Sequence, residues 1–154
     1  MNRIGRYYED FFVGQVIEHK LTKTITESDN NLFCLLTMNH HPVHLDIDYA
    51  KRKQHGQILV VGTLVFSLAV GITVEDISGR AVANLGYENV RHINPVFLGD
   101  TIRVKTKVTD MRECKHKSDR GIIHVMSEVF NQNNDKVLSF ERTVLVFRKC
   151  TEDE

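Results

Sequence analysis

Proline, cysteine and net charge are all scarce in this 154-residue sequence, and each shortage excludes a class of protein. Only Pro42 and Pro95 occur, and no Ser/Gly/Pro-rich stretch divides the chain, so nothing reads as an interdomain linker. The three cysteines, Cys34, Cys114 and Cys150, are odd in number and widely scattered, which fits neither a disulfide framework nor a paired zinc site. Twenty Lys and Arg balance twenty Asp and Glu, so no overall field favours nucleic acid or an anionic membrane as a partner. The longest apolar run, from Ile58 to Ile72, is interrupted by Gly62, Thr63 and Ser67 and falls short of the ~20 residues that cross a bilayer. No apolar leader with a small-residue cleavage site stands at the N-terminus. What is abundant is ordinary: 42% hydrophobic and 26% charged residues, enough apolar side chain to build a core. The expectation is a single domain over residues 1–150 with a frayed acidic tail at 151–154, located in the cytoplasm.

The halves of the chain differ in pattern. Val13 to Thr24 reads as a first strand. Thr26-Glu27-Ser28-Asp29 then offers a capping hydroxyl and carboxylates for a helix start, and Leu32, Phe33, Leu35 and Leu36 supply its apolar stripe. This helix must stop before Pro42, because proline pushes the residue ahead of it out of the helical region. A short helix follows over Asp46 to Lys53. The run from Thr63 to Ile72 is apolar almost all round, the pattern of a helix enclosed by protein on every side. Beyond it, strands are expected at about 81–92, 100–112, 121–131 and 136–148, with Asn131 to Asp135 as a hairpin turn. One apolar helix and a curled antiparallel sheet make an α+β fold with the helix wrapped in the sheet. So small a sheet leaves an edge strand, for which pairing with a second copy is a common remedy.

Reactive side chains concentrate in Thr37-Met38-Asn39-His40-His41-Pro42-Val43-His44-Leu45-Asp46, read as an irregular loop after the first helix. Three of the eight histidines lie here, and imidazole can take and return a proton near neutral pH. His44-Leu45-Asp46 also has the His-x-Asp spacing of two-His-one-carboxylate iron sites, with His92 or His124 as the distant third ligand, but Pro42 and helix-like flanks argue against the strand such sites use. No Gly-x-Ser-x-Gly elbow exists, Ser67 falls in the apolar helix, and Cys34 lies among leucines. Glycine-rich nucleotide loops are absent from the sequence as well. Val60-Val61-Gly62-Thr63 marks the start of the apolar helix, whose first amides have no internal partners. Glycine there either packs closely or lets a ligand approach the backbone, an arrangement suited to a developing oxyanion.

Asn39-His40-His41-Pro42-Val43-His44, with Leu45-Asp46 after it and Gly62 eighteen residues beyond His44, resembles the Asp-x-Asn-Pro-x-His motif and following glycine of the MaoC-like hydratases. These are the (R)-specific enoyl-CoA hydratase group of the hot-dog fold. Asn89 to Ile102, with Pro95-Val96 and Gly99-Asp100, and the entry segment Tyr7 to Gln15 resemble further blocks of the family. The resemblance implies a hot-dog fold and reversible addition of water to a trans-2-enoyl-CoA. In that reading His44, Asn39 and Gly62 are catalytic, and His41, Thr63 and Arg91 bind substrate. No metal or cofactor is called for, coenzyme A entering as part of the substrate, and a homodimer or higher homo-oligomer is implied. The chain departs from the pattern where Asn39 replaces the catalytic Asp, His41 the motif's Asn, and Val61 a His. Asn39 can orient a water but cannot ionise. A similar Thr-Met-Asn stretch in hydratases of the mesaconyl and itaconyl type points to branched or carboxylated acyl groups. The alternatives are an acyl-CoA-binding or regulatory protein without turnover, and a thioesterase. The latter normally needs a carboxylate in the central helix, and 62–71 contains none.

Overall fold

A computed structural model of the chain describes residues 4–149. The expected acidic tail at 151–154 lies outside them. In chain order come β1 (Val16–Glu18), β2 (Lys23–Thr24), α1 (Glu27–Thr37), α2 (Pro42–Leu45), α3 (Ile47–Lys51), α4 (Gly62–Ile72), β3 (Ala81–His92), β4 (Thr101–Glu113), β5 (Arg120–Phe130) and β6 (Lys136–Phe147). The strands pair antiparallel in the order β1-β4-β5-β6-β3, with β2 also on β4. This is the α+β architecture and hot-dog fold expected from the sequence, a sheet laid around one central helix.

Strict alternation makes β5 the clearest strand: Ile123, Val125, Ser127 and Val129 are buried and the residues between them are only partly covered. Its register with β6 pairs Val125 with Arg142 and Ser127 with Phe140, and the turn at Asn131 closes the hairpin through the Asn131 side chain, which accepts from the Asn133 and Asp135 amides. Leu64, Val65, Ala69 and Ile72 of α4 sit in one buried cluster with Ile102, Val104, Val129, Leu138 and Phe140 of the sheet. Phe140 is fully enclosed, and truncating it to alanine costs about 3–5 kcal/mol by transfer and cavity terms together.

Two sequence expectations change. The first strand is split: the His19 amide still bonds to Val104 while its ring turns inward to Asp76 and Thr106, and the pairing with β4 then lapses until β2. Nor is α4 wrapped on every side. Thr63, Ser67 and Gly71, spaced four apart, form an open stripe, since β3 at the end of the sheet pairs only with β6. Three register shifts bend β3, and Leu85, Tyr87 and Val90 remain exposed along it.

Candidate active site

The reactive segment is not an irregular loop. α1 ends at Met38, whose left-handed backbone (φ 60°) turns the chain while its amide bonds back to Cys34 and Leu35. Pro42 then opens α2, since its fixed φ suits the first helical position and no amide is lost. His41 caps this turn, its Nδ1 accepting from the Val43 amide at 3.1 Å. Asp46 closes α2 and caps α3 through the Tyr49 amide. Four residues of helix thus carry His44 on a fixed support.

The His44 ring is oriented by a single strong bond. Nδ1 lies 2.6 Å from the carbonyl oxygen of Leu59, which can only accept, so Nδ1 carries a proton and, in the uncharged ring, Nε2 is the nitrogen that presents a lone pair. The backbone behind it is held as well: the buried Asn30 side chain donates to the His44 carbonyl at 2.9 Å and accepts from the Val61 amide at 3.1 Å.

Val61 precedes α4 and supplies no side-chain cap. The Leu64 and Val65 amides fold back on the Val61 carbonyl, which leaves the Gly62 and Thr63 amides without an acceptor inside the helix. Both residues line a cavity of about 480 Å³, a size suited to a small-molecule group, whose walls also include Asn39, His44, His55 and His92. At the mouth of one helix the site therefore brings together an imidazole with its Nδ1 proton fixed, a carboxamide and two free amides at a positive dipole end. Among the described residues, no Asp, Glu, Lys or Arg lines this cavity. Its ionisable groups are three imidazoles.

Four of the six residues singled out in the sequence, His44, Asn39, Gly62 and Thr63, meet here. His41 and Arg91 do not. His41 is spent on capping and edges the Tyr49 ring at 6.2 Å, on an adjoining groove that includes Lys53 and shares His55 and Leu59 with the cavity. Arg91 is exposed on β3 and outside the cavity, because strand alternation sends it away from the face that His92 presents. The segment that lines the cavity beside α4 is 92–96. Arg52 pairs with Asp48 on the surface.

His92 was weighed in the sequence only as a metal ligand. Its ring instead packs on Gly62: a Cβ there would stand 2.6 Å from Cε1 and 3.0 Å from each ring nitrogen. Among the described residues no group of three His, Cys, Asp or Glu side chains could hold a metal, and His124 is bonded to Thr143 across the sheet. Strand alternation from Arg91 to its neighbour at the end of β3 could have found His92; His55 carried no local signal.

Residues 10–129 match the MaoC like domain family. Over 96% of its length the chain is 33% identical to a mesaconyl-CoA hydratase of Cereibacter sphaeroides, of which it spans 43%. It is 30% identical to an (R)-specific enoyl-CoA hydratase of Rhodospirillum rubrum, covering 93% of each chain. A solved structure described as a monoamine oxidase regulatory protein from Archaeoglobus superposes with a TM-score of 0.83 at 32% identity, over 96% of this chain and 98% of that one. The chain spans less than half the length of the first of these relatives and nearly all of the other two. With the fold, the motif and the helix-mouth site in agreement, the chain belongs to the MaoC-like dehydratase domain family.

Proposed function

We propose that the chain is a hydro-lyase that adds water reversibly across the double bond of a trans-2-enoyl-CoA. The observation that carries this reading is the opposition, in one cavity, of an imidazole with its Nδ1 proton fixed and the unpaired amides that begin α4. Nε2 of His44 takes a proton as the water oxygen bonds to C3. The electron pair of the double bond moves toward the thioester, whose oxygen becomes enolate-like and accepts hydrogen bonds from the Gly62 and Thr63 amides. The imidazolium then returns the proton to C2, so H and OH are both accounted for. Asn39 holds the water through its carboxamide, a role that needs no ionisation.

Branched or carboxylated acyl groups fall within this reading. The cavity presents imidazoles and carboxamides without a carboxylate, so an acyl carboxylate meets no like charge there. The mesaconyl-CoA hydratase relative points the same way. Lys53, in the adjoining groove, is placed for the phosphates of coenzyme A. We further infer a homodimer, closed over the free edge of β3 and the open Thr63, Ser67 and Gly71 stripe of α4, and a cytoplasmic location. No helix among the described residues is long and apolar enough to cross a membrane.

A second reading, an acyl-CoA-binding protein without turnover, draws on the non-ionisable Asn39 and on the regulatory description of the Archaeoglobus neighbour. The thioesterase reading loses ground because the cavity walls hold no carboxylate to activate water for hydrolysis. Following the conjugated absorbance of crotonyl-CoA and mesaconyl-type thioesters decides between them. Loss of absorbance with the thioester intact supports hydration. Release of free thiol supports hydrolysis, and binding without either change supports the silent reading.

A further inference from the structure

α1 buries two of its residues, Asn30 and Cys34, and one of them is polar. A carboxamide with no exposure on the inner face of a helix is costly unless every hydrogen-bonding group on it is used. Asn30 is used in a specific way. Its Nδ2 donates to the carbonyl of His44 at 2.9 Å, and its Oδ1 accepts from the amide of Val61 at 3.1 Å. Residue 44 carries the base, and residue 61 immediately precedes the two free amides. One planar group four atoms across therefore ties the two halves of the site to each other, though they lie seventeen residues apart in the chain.

We propose that Asn30 is a positioning residue for the hydration reaction, a strut that sets the gap between His44 and the start of α4. The proposal rests on the hydratase reading given above. Two further observations make the strut necessary. α2 is a single turn whose other hydrogen bonds are local; besides the packing of Leu45 on the core, its link to the α4 side runs through Leu59, whose carbonyl holds the His44 ring and whose amide bonds to Val43. The Val61 amide lies in a residue that is 2% exposed and takes its partner from Asn30, so removing that partner orphans a donor beside the oxyanion site. Without that bond the backbone entering α4 at Val61 is free to shift, and the Gly62 amide shifts with it.

The test compares Asn30→Ala and Asn30→Asp with the parent chain. Alanine removes both bonds. Aspartate keeps the shape and the acceptor for Val61 but, when ionised, repels the His44 carbonyl; when protonated it can donate to that carbonyl again. Two readouts separate positioning from mere structural support. The first is steady-state kinetics on an enoyl thioester that the parent hydrates. Here kcat of Asn30→Ala should fall about 10- to 100-fold, the range expected for misplacement by about an ångström, with KM changing little. Asn30→Asp should recover toward the parent as pH is lowered. The second is the proton NMR signal of the His44 Nδ1–H, assigned by its loss in His44→Gln. This signal is shifted by the short bond to Leu59, and it should move or broaden in Asn30→Ala while remaining in place in a comparably destabilised core variant such as Val129→Ala.

Parent-like kcat in a folded Asn30→Ala overturns the proposal, and so does an undisturbed His44 signal. If the parent hydrates no thioester, the hydratase reading fails while the NMR comparison still decides whether Asn30 holds His44. Should Asn30→Ala fail to fold, Asn30→Asp carries both readouts, and a pH-independent, parent-like kcat in it overturns the strut.

Discussion

A single methyl group placed at residue 62 tests the site geometry directly. Gly62→Ala keeps the amide that would hold the thioester oxygen, and position 62 has no left-handed backbone that a side chain would strain. The added Cβ would, however, stand 2.6 Å from His92 Cε1 and 3.0 Å from both ring nitrogens, where ordinary contact begins near 3.4 Å. The His92 ring must therefore give way by roughly 0.5–1 Å, which is feasible because it is an exposed side chain at the end of β3 and not backbone. Stability should change by less than about 1 kcal/mol, since alanine's gain over glycine in a helix offsets part of the contact. Activity should not escape so lightly. The methyl fills the space directly over the first amides of α4, and displacement of this order at a reacting centre is worth about 100-fold, or roughly 2.7 kcal/mol of transition-state stabilisation. Thermal melts and the loss of conjugated enoyl-CoA absorbance measure the two quantities. Turnover of Gly62→Ala within about threefold of the parent would refute the placement of the thioester at this helix mouth.

Three other outcomes follow from the structure. His44→Gln should lower kcat by about 10²–10⁴-fold with the melting temperature little changed, because it removes the only proton shuttle bonded to Leu59; steady-state kinetics beside a melt checks this. Asn39→Asp should lower kcat/KM for a carboxylated enoyl thioester relative to crotonyl-CoA, since it introduces negative charge into a cavity with no carboxylate; competition between the two substrates measures the ratio. Burial, opposed by the Asp76 hydrogen bond, holds the His19 imidazole below its usual range, so the unfolded chain takes up a proton there that the folded chain refuses. That contribution to stability is fully present above about pH 6.5 and declines as pH falls below it toward the folded value; a series of denaturant melts should show the decline steepen in parent over His19→Gln, and parallel curves would exclude it.

The long strands were legible because a half-buried strand repeats with period two, and β5 keeps that period without a break. α4 was legible as an apolar run, but its open stripe was not, since Thr63, Ser67 and Gly71 are small rather than charged and blur the polar face. The spacing of His44 and Gly62 carried the site, since the chain between them returns to the helix mouth: Leu59 pairs with Phe97, and Val60 bonds to Val96. Arg91 and His92 show where sequence reading lost its footing. Adjacent strand residues face opposite ways, so choosing the cation over its neighbour at the end of β3 chose the wrong face. Asn30 escaped because an asparagine in the first turn of a helix looks like a solvated residue until the backbone groups it satisfies, distant in sequence, are brought to it.

The replacement of an ionisable residue by Asn39 becomes intelligible when the whole wall is considered. A carboxylate at that point would stabilise protonated imidazoles at His44, His55 and His92, and a protonated His44 cannot accept a proton from water. A carboxamide leaves His44 to its bond with Leu59, which fixes the tautomer without adding charge. The same substitution removes the one group that would repel an anionic acyl chain, so the proton-transfer requirement and the tolerance for a carboxylated substrate point to the same residue. In the proposed reaction, turnover then depends on negative charge developing at one place, the thioester oxygen, beside the dipole and free amides of α4. Chemistry with a single acid–base group tolerates little error in spacing, and this is why a buried strut and a glycine that admits an imidazole belong to the same design.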